Sequence, residues 1–309
     1  MIYQNLTELV GRTPLLNLQR MASLHGALAQ VVAKVEAFNP GGSVKDRVAL
    51  HMIEDAEARG QLRPGCVIIE PTSGNTGVGL AWISRVKGYE AIIVMPDSMS
   101  VERQSLLRAS GARLVLTPGA QGMKGAISEA ERLCSETPGA VILGQFTNPA
   151  NAEAHELATG EEIWQDTDGQ VDIFVAGVGT GGTLTGTART LKKHNPQIRI
   201  VAVEPADSAV LSGGKAGAHG LQGIGAGFIP EILDTNLIDE VIRVTDEEAY
   251  LAGRQLSATE GLLTGISSGA AVHAAIQLAL RPENKGKRIV VLLPDTGERY
   301  LSTKLFMSE

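Results

Sequence analysis

Short apolar runs alternate with segments of helical periodicity along most of the chain. VVAKVEAF (residues 31–38) reads as a strand. After it, Val44, Val48, Met52 and Ala56 fall at i, i+4, i+8 and i+12, with Ala49 and Ile53 beside them, which makes one apolar helix face closed by Gly60. CVIIEP (66–71), EAIIVMP (90–96), ARLVLTP (112–118) and AVILGQF (140–146) read as strands. Between them, VGLAWISRVKG (78–88), SVERQSLLRASG (100–111) and GMKGAISEAERLCSE (122–136) read as helices. The second half repeats the style, with strands in VDIFVAGV (171–178), RIVAVEP (199–205) and KRIVVLLPDTG (287–297). Its helices are GTGGTLTGTARTLKKHN (179–195), TDEEAYLAGRQLSATEG (245–261) and ISSGAAVHAAIQLAL (266–280). Residues 208–227 hold seven glycines and read as loop. Alternation of this kind predicts an α/β fold: two doubly wound domains with mostly parallel sheets and helices on both faces. TNPAN (147–151) interrupts the pattern and suggests an N-terminal domain over 1–150 and a second over 151–309, with residues about 15–38 expected to pack with the other domain.

Composition narrows the function. The 309 residues, 43% of them apolar, suffice for about two domains with sizeable cores. A net charge of −7 argues against a nucleic-acid binder. No run of roughly 18 apolar residues predicts a membrane span, and the first residues carry no basic-then-apolar leader pattern, so a cytoplasmic protein is expected. The two cysteines, Cys66 and Cys134, form neither a disulfide framework nor a zinc pattern, and the six histidines show no metal-binding spacing. Each histidine is expected to be structural or solvated.

Three strand–turn–helix junctions carry the candidate chemistry, because helix starts with free N–H groups bind anions. In EPTSGNTG (70–77), Thr72, Ser73, Asn75 and Thr76 offer uncharged donors beside Gly74 and Gly77, a set suited to a carboxylate. A single turn of this type is more often a helix cap. AGVGTGGTLTG (176–186) contains G-x-G-x-x-G at Gly177, Gly179 and Gly182, with the acid Glu204 about 20 residues on, which is the dinucleotide fingerprint. Thr180 and Thr183 in the same turn suit a terminal phosphate, so this motif could serve either ligand. In GISSGAA (265–271), Ser267 or Ser268 could simply cap a helix. Lys45 sits where a helix begins, against the macrodipole. Either it is a surface lysine, for which the prior is much higher, or its place favours the neutral amine that attacks a carbonyl. A phosphate, a carboxylate and a lysine together have the charge layout of pyridoxal phosphate joined to an amino acid.

At this point the chain resembles, over nearly its whole length, the cysteine synthases (O-acetylserine sulfhydrylases) among the fold-type II pyridoxal-phosphate enzymes, whose fold is like the tryptophan synthase β-subunit. The motifs that carry the likeness are GRTPLLNL (11–18), NPGGSVKDR (39–47), EPTSGNTG, GVGTGGTLTG, VAVEP (201–205), LQGIGAGFIP (221–230) and GISSGAA, in the family's order. The resemblance implies that Lys45 holds pyridoxal 5'-phosphate as a Schiff base and then acts as acid and base. It implies that Asn75 meets the cofactor's 3'-oxygen, that Gly179, Thr180, Gly181, Gly182 and Thr183 bind its phosphate, and that Ser267 faces its ring nitrogen. Thr72, Ser73, Gly74, Asn75 and Thr76, with Gln145, would hold the substrate carboxylate, and Gly223 would line the mouth. The implied reaction replaces the acetate of O-acetyl-L-serine by sulfide, through an α-aminoacrylate intermediate, to give L-cysteine. A homodimer and capture of a serine acetyltransferase C-terminal tail are implied likewise. Rivals are cystathionine β-synthase or O-phosphoserine sulfhydrylase on the same fold, Lys215 being a basic residue suited to phosphoserine, and a nicotinamide-dependent dehydrogenase. ERYLST near the C-terminus leans to the B-type isoenzymes, while GTGGT and QGIGAG lean to the A type.

Overall fold

The structure, a computed structural model, describes residues 1–307. Ser308 and Glu309, the last two residues of the expected second domain, lie outside the described residues. In chain order the elements are β1 (Leu15–Asn17), α1 (Gln19–His25), β2 (Gln30–Val35), α2 (Lys45–Ala58), β3 (Val67–Pro71), α3 (Asn75–Lys87) and β4 (Glu90–Pro96). Then come α4 (Val101–Ala109), β5 (Arg113–Thr117), α5 (Gly122–Glu136), β6 (Ala140–Val141), α6 (Ala150–Ala154), α7 (Gly160–Asp166), β7 (Ile173–Gly177) and α8 (Gly182–His194). β8 (Arg199–Pro205), β9 (Glu240–Val244), α9 (Asp246–Glu260), α10 (Ile266–Ala279) and β10 (Arg288–Leu293) complete the chain. A π-helical turn, His155–Thr159, joins α6 to α7. The chain divides into two compact units, one made of residues 1–10 and 39–151, the other of residues 11–38 and 152 onward.

The first unit is built on a four-stranded parallel sheet ordered β5-β4-β3-β6. β3 and β4 are buried on both faces, so their residues are almost continuously apolar, as parallel strands between helix layers must be. The predicted face of α2 is the buried one: Val48, Ala49, Met52, Ile53 and Ala56 pack with Leu80 and Ile83 of α3 and with Ile68 and Ile93 of the sheet. Burying Met52 or Ile53 fully stabilises this unit by about 1.5–3 kcal/mol each. The strand order reverses direction at β3: the chain steps outward to β4 and β5, then returns to place β6 on the other side. Such a switch point is where ligands bind in open α/β sheets.

The second unit carries a six-stranded sheet ordered β1-β2-β10-β7-β8-β9. β1 pairs antiparallel with β2, and every other pairing in the sheet is parallel. α10 is apolar nearly all round and buried, its alanines allowing close approach to the sheet. The buried Lys34 of β2 donates to the Thr13 carbonyl at 2.6 Å and pairs with Glu162 at 2.7 Å, which offsets the cost of its charge. β7 and β10 flank the switch point of this sheet.

Several stretches differ from expectation. AVILGQF is strand only over Ala140–Val141, because the N–H groups of residues 143–145 turn to a carboxylate instead of a neighbouring strand. α3 begins at Asn75, three residues before the expected helix, so Asn75 and Thr76 lie in its first turn rather than in the loop. Residues 150–166, which the sequence pattern left without an element after the TNPAN interruption, are helical throughout. Among the described residues no helix is long and apolar enough to cross a membrane.

Candidate active site

In the first unit the candidate residues gather at the carboxyl ends of β3 and β6 and at the starts of α2 and α3. Lys45 is the first residue of α2, half-buried, and its N–H donates to Ser43 Oγ at 3.2 Å. The glycines before it follow from packing. A Cβ on Gly41 would lie 2.6 Å from Trp82 Nε1, which donates to the buried Asp46 at 3.1 Å, and Gly42 has φ 76°. A Cβ on Gly79 of α3 would lie 3.0 Å from the Lys45 carbonyl oxygen, so the two helix starts are neighbours.

Thr72 follows β3 and is buried, with its hydroxyl accepting from the Gly74 N–H at 3.4 Å. The Ser73 carbonyl accepts from Arg103 of α4 at 3.1 Å. Gly74 is the N-cap of α3, has no side-chain cap bond, and has open space where a Cβ would stand. Asn75 and Thr76 therefore sit at a helix start whose N–H groups are not capped by a side chain. The Thr76 hydroxyl donates to Gln145 Oε1 at 2.6 Å across 69 residues of sequence. Gln145 is carried on a loop whose N–H groups at Leu143, Gly144 and Gln145 donate to Glu70 at 3.1–3.2 Å. Glu70 is fully buried; burial pushes its carboxyl above the usual carboxylate range, and the three N–H groups pull it part of the way back. Sequence reasoning did not single out Glu70; its signal was an acid inside an otherwise apolar parallel strand.

In the second unit the glycine turn leaves β7 at Gly177. Gly179 lies against the Gly223 carbonyl oxygen, which a Cβ would strike, so the turn and the 221–230 loop need glycine at this approach. Thr180 is buried. Gly181, at φ 87°, is the N-cap of α8 and leaves Gly182 and Thr183 in an uncapped first turn. Thr183 Oγ hydrogen-bonds His155 Nε2 at 3.2 Å, and His155 Nδ1 meets Thr159 Oγ at 2.9 Å. His155, fully buried in the π-helical turn, is a site neighbour that sequence reasoning missed, since a lone histidine outside any spacing pattern carries no signal. Ser267 lies in the first turn of α10, 3% exposed, and its Oγ is 3.6 Å from where a Gly223 Cβ would be. The N-cap of α10 is Gly265, without a side-chain cap, so neither Ser267 nor Ser268 caps the helix.

These features bear on the rivalry over the glycine turn. Glu204, the acid that a dinucleotide's ribose would need, is 2% exposed and accepts from the N–H groups of Leu211 at 2.7 Å and Ser212 at 3.0 Å and from the Ser212 hydroxyl. It anchors its own loop. The uncapped turn with two threonines instead suits a phosphate, and the Ser267 hydroxyl, 3% exposed in the first turn of α10, is of a kind that can meet a ring nitrogen.

A family model described as "Pyridoxal-phosphate dependent enzyme" matches residues 6–295. The cysteine synthase of Staphylococcus aureus (strain Mu50 / ATCC 700699) is 53% identical over 303 residues, covering 98% of this chain and 96% of that one. The chain belongs to the cysteine synthase family of pyridoxal-phosphate-dependent enzymes. Cysteine synthase A of Escherichia coli (strain K12) is 52% identical over 314 residues, covering 99% of this chain and 96% of the relative. A crystal structure of cysteine synthase (OASS) from Entamoeba histolytica superposes with a TM-score of 0.97 at 46% identity, covering 100% of this chain and 92% of that one. The cofactor of this family member is pyridoxal phosphate.

Proposed function

We propose that the protein is a cysteine synthase that replaces the acetate of O-acetyl-L-serine by sulfide. The observation that carries the reading is that α3, α8 and α10 each have a glycine as N-cap (Gly74, Gly181 and Gly265) and start without a side-chain cap. Each leaves N–H groups and a partial positive charge for ligand atoms. Gly179, Thr180, Gly181, Gly182 and Thr183 bind the cofactor phosphate, His155 orients the Thr183 hydroxyl, Asn75 hydrogen-bonds the 3'-oxygen, and Ser267 meets the ring nitrogen. A neutral serine there does not enforce protonation of that nitrogen. Pyridoxal phosphate, when bound, withdraws electrons from the substrate Cα and so acidifies its proton.

The substrate carboxylate is held by the donors of residues 72–76. The Thr76 hydroxyl is directed to Gln145 Oε1, so the Gln145 amide N–H groups remain to donate to the carboxylate. Lys45 anchors the cofactor. With the cofactor bound, the Lys45 amine would take the Cα proton as acetate leaves Cβ, and would return it to Cα after sulfide has added at Cβ. Gly223 lines the entrance. The test is cysteine formation by the cofactor-loaded protein with sulfide and O-acetyl-L-serine. Turnover confined to O-phosphoserine, or to serine with homocysteine, would overturn the assignment.

The protein also acts as a homodimer, as its family suggests; a sedimentation mass of one chain would contradict this. A serine acetyltransferase tail, ending in a carboxylate, would compete with O-acetyl-L-serine for residues 72–76. Simultaneous binding of both would rule out a shared site. Unpaired Cys66 and Cys134 suit work in the reducing cytoplasm, which a fluorescent fusion would test.

A further inference from the structure

We propose that Glu70 is a positioning residue for the substrate carboxylate, setting the Gln145 amide through the backbone of residues 143–145. The inference rests on the substrate role given above to Thr76 and Gln145. Glu70 is 1% exposed, at the end of β3, two residues before the substrate turn. Its Oε2 accepts from the N–H groups of Leu143 at 3.2 Å and Gly144 at 3.1 Å, and its Oε1 from that of Gln145 at 3.2 Å. β6 ends at Val141, so these three donors have left the ladder and need another acceptor. One carboxylate supplies it to all three.

The opposite side of the loop is fixed as well. Asn148 Nδ2 donates to the Leu143 carbonyl at 2.8 Å and Asn151 Nδ2 to the Gln145 carbonyl at 2.7 Å. Both peptide groups of Gln145 are thus held, and its side chain has one course, toward Thr76 Oγ at 2.6 Å. A charge buried to this degree is costly unless it is fully hydrogen-bonded. If the loop needed only to be closed over, apolar packing would do so at lower cost. A carboxylate that gathers three successive N–H groups fixes the direction of the loop, and with it which atoms of Gln145 face the helix start at Asn75. Glutamine at position 70 would offer a single acceptor oxygen and turn its own N–H₂ against backbone N–H groups.

The test uses cofactor-loaded wild type, Glu70→Gln, Gln145→Ala and the double variant. Steady-state kinetics with O-acetyl-L-serine are measured beside the shift of the cofactor's visible band on titration with L-alanine, which has the amino and carboxylate groups but no leaving group. For Glu70→Gln, KM and the alanine half-saturation point are expected to rise about tenfold, the loss of one charge-assisted contact. kcat should fall by less, and the resting visible band should keep its position. Because Glu70 acts through Gln145, the double variant should bind no worse than Gln145→Ala alone. An unchanged KM in Glu70→Gln, or penalties that simply add in the double variant, would overturn the inference. If Glu70→Gln does not accumulate folded, Glu70→Asp, which keeps the charge one methylene shorter, should give the same split with a smaller rise, and an unchanged KM there would overturn it equally. Wild type that binds neither O-acetyl-L-serine nor alanine would overturn the substrate reading itself.

Discussion

Gly186 lies in the middle of α8, one turn beyond Thr183, and α8 packs there on residues 152–156. A Cβ at this position would strike the Ala152 carbonyl oxygen and stand 2.7 Å from the Glu156 N and 2.8 Å from the His155 Cβ. Gly186→Ala therefore sets two effects against each other. Helix propensity favours alanine by about 1 kcal/mol. Overpacking costs about 1–3 kcal/mol in a typical core, and the upper end applies here because two of the three obstacles are backbone atoms, which cannot rotate away. The net loss is about 2 kcal/mol, or about 4–8 °C in Tm for a unit of this size. Relief requires α8 to move off the π-helical turn, which lengthens the 3.2 Å contact between His155 and Thr183. The assay is thermal unfolding by circular dichroism, with and without saturating pyridoxal phosphate, together with cofactor titration of the apoprotein. The expected variant melts lower and needs more cofactor for half-saturation. A variant as stable as wild type would refute the reasoning, since propensity would then have outweighed the clash.

Thr183→Val keeps the side-chain shape and removes the hydroxyl that meets His155; cofactor affinity should fall about tenfold, measured by titrating the apoprotein, and unchanged affinity would remove Thr183 from the phosphate site. Glu240 pairs with Arg281 at 2.7 Å and Arg199 at 2.7 Å, and the Arg281 hydrogen bond chiefly holds its carboxyl below the usual range. That stabilisation is present above the unfolded carboxyl pKa and is lost as pH falls through the folded one, so Glu240→Gln should cost about 1 kcal/mol or less after solvent screening at neutral pH and progressively less in acid. Equal destabilisation at both pH values, by denaturant titration, would contradict this.

The doubly buried parallel strands β3, β4, β8 and β10 were legible because burial on both faces leaves no room for polar alternation, and they are nearly unbroken apolar runs. Helices with one apolar face, such as α2, were legible for the same reason of burial. β1 was not, because a three-residue, mostly exposed edge strand has no period to detect. The helical stretch over 150–166 was hidden behind Asn-Pro, which marks a helix start as readily as a boundary. The extent of AVILGQF depended on Glu70, 70 residues before its first residue, and local pattern cannot register a carboxylate that captures three N–H groups. The glycine turns announced helix starts with free donors, but not their ligand. What weighs against a dinucleotide is that Glu204 directs its oxygens to the N–H groups of the loop that follows it, which residue spacing does not reveal. The meeting of Thr76 with Gln145 likewise follows from the order β5-β4-β3-β6, which sets the ends of β3 and β6 side by side.

The account turns on Lys45 as the residue that carries the cofactor. Borohydride reduction of the pyridoxal-phosphate-loaded protein, followed by proteolysis and mass mapping, tests this without relying on turnover. The account predicts that the added phosphopyridoxyl mass falls on the peptide containing Lys45 and is absent from Lys45→Ala. Its appearance on another lysine, or no covalent retention in wild type, would contradict it.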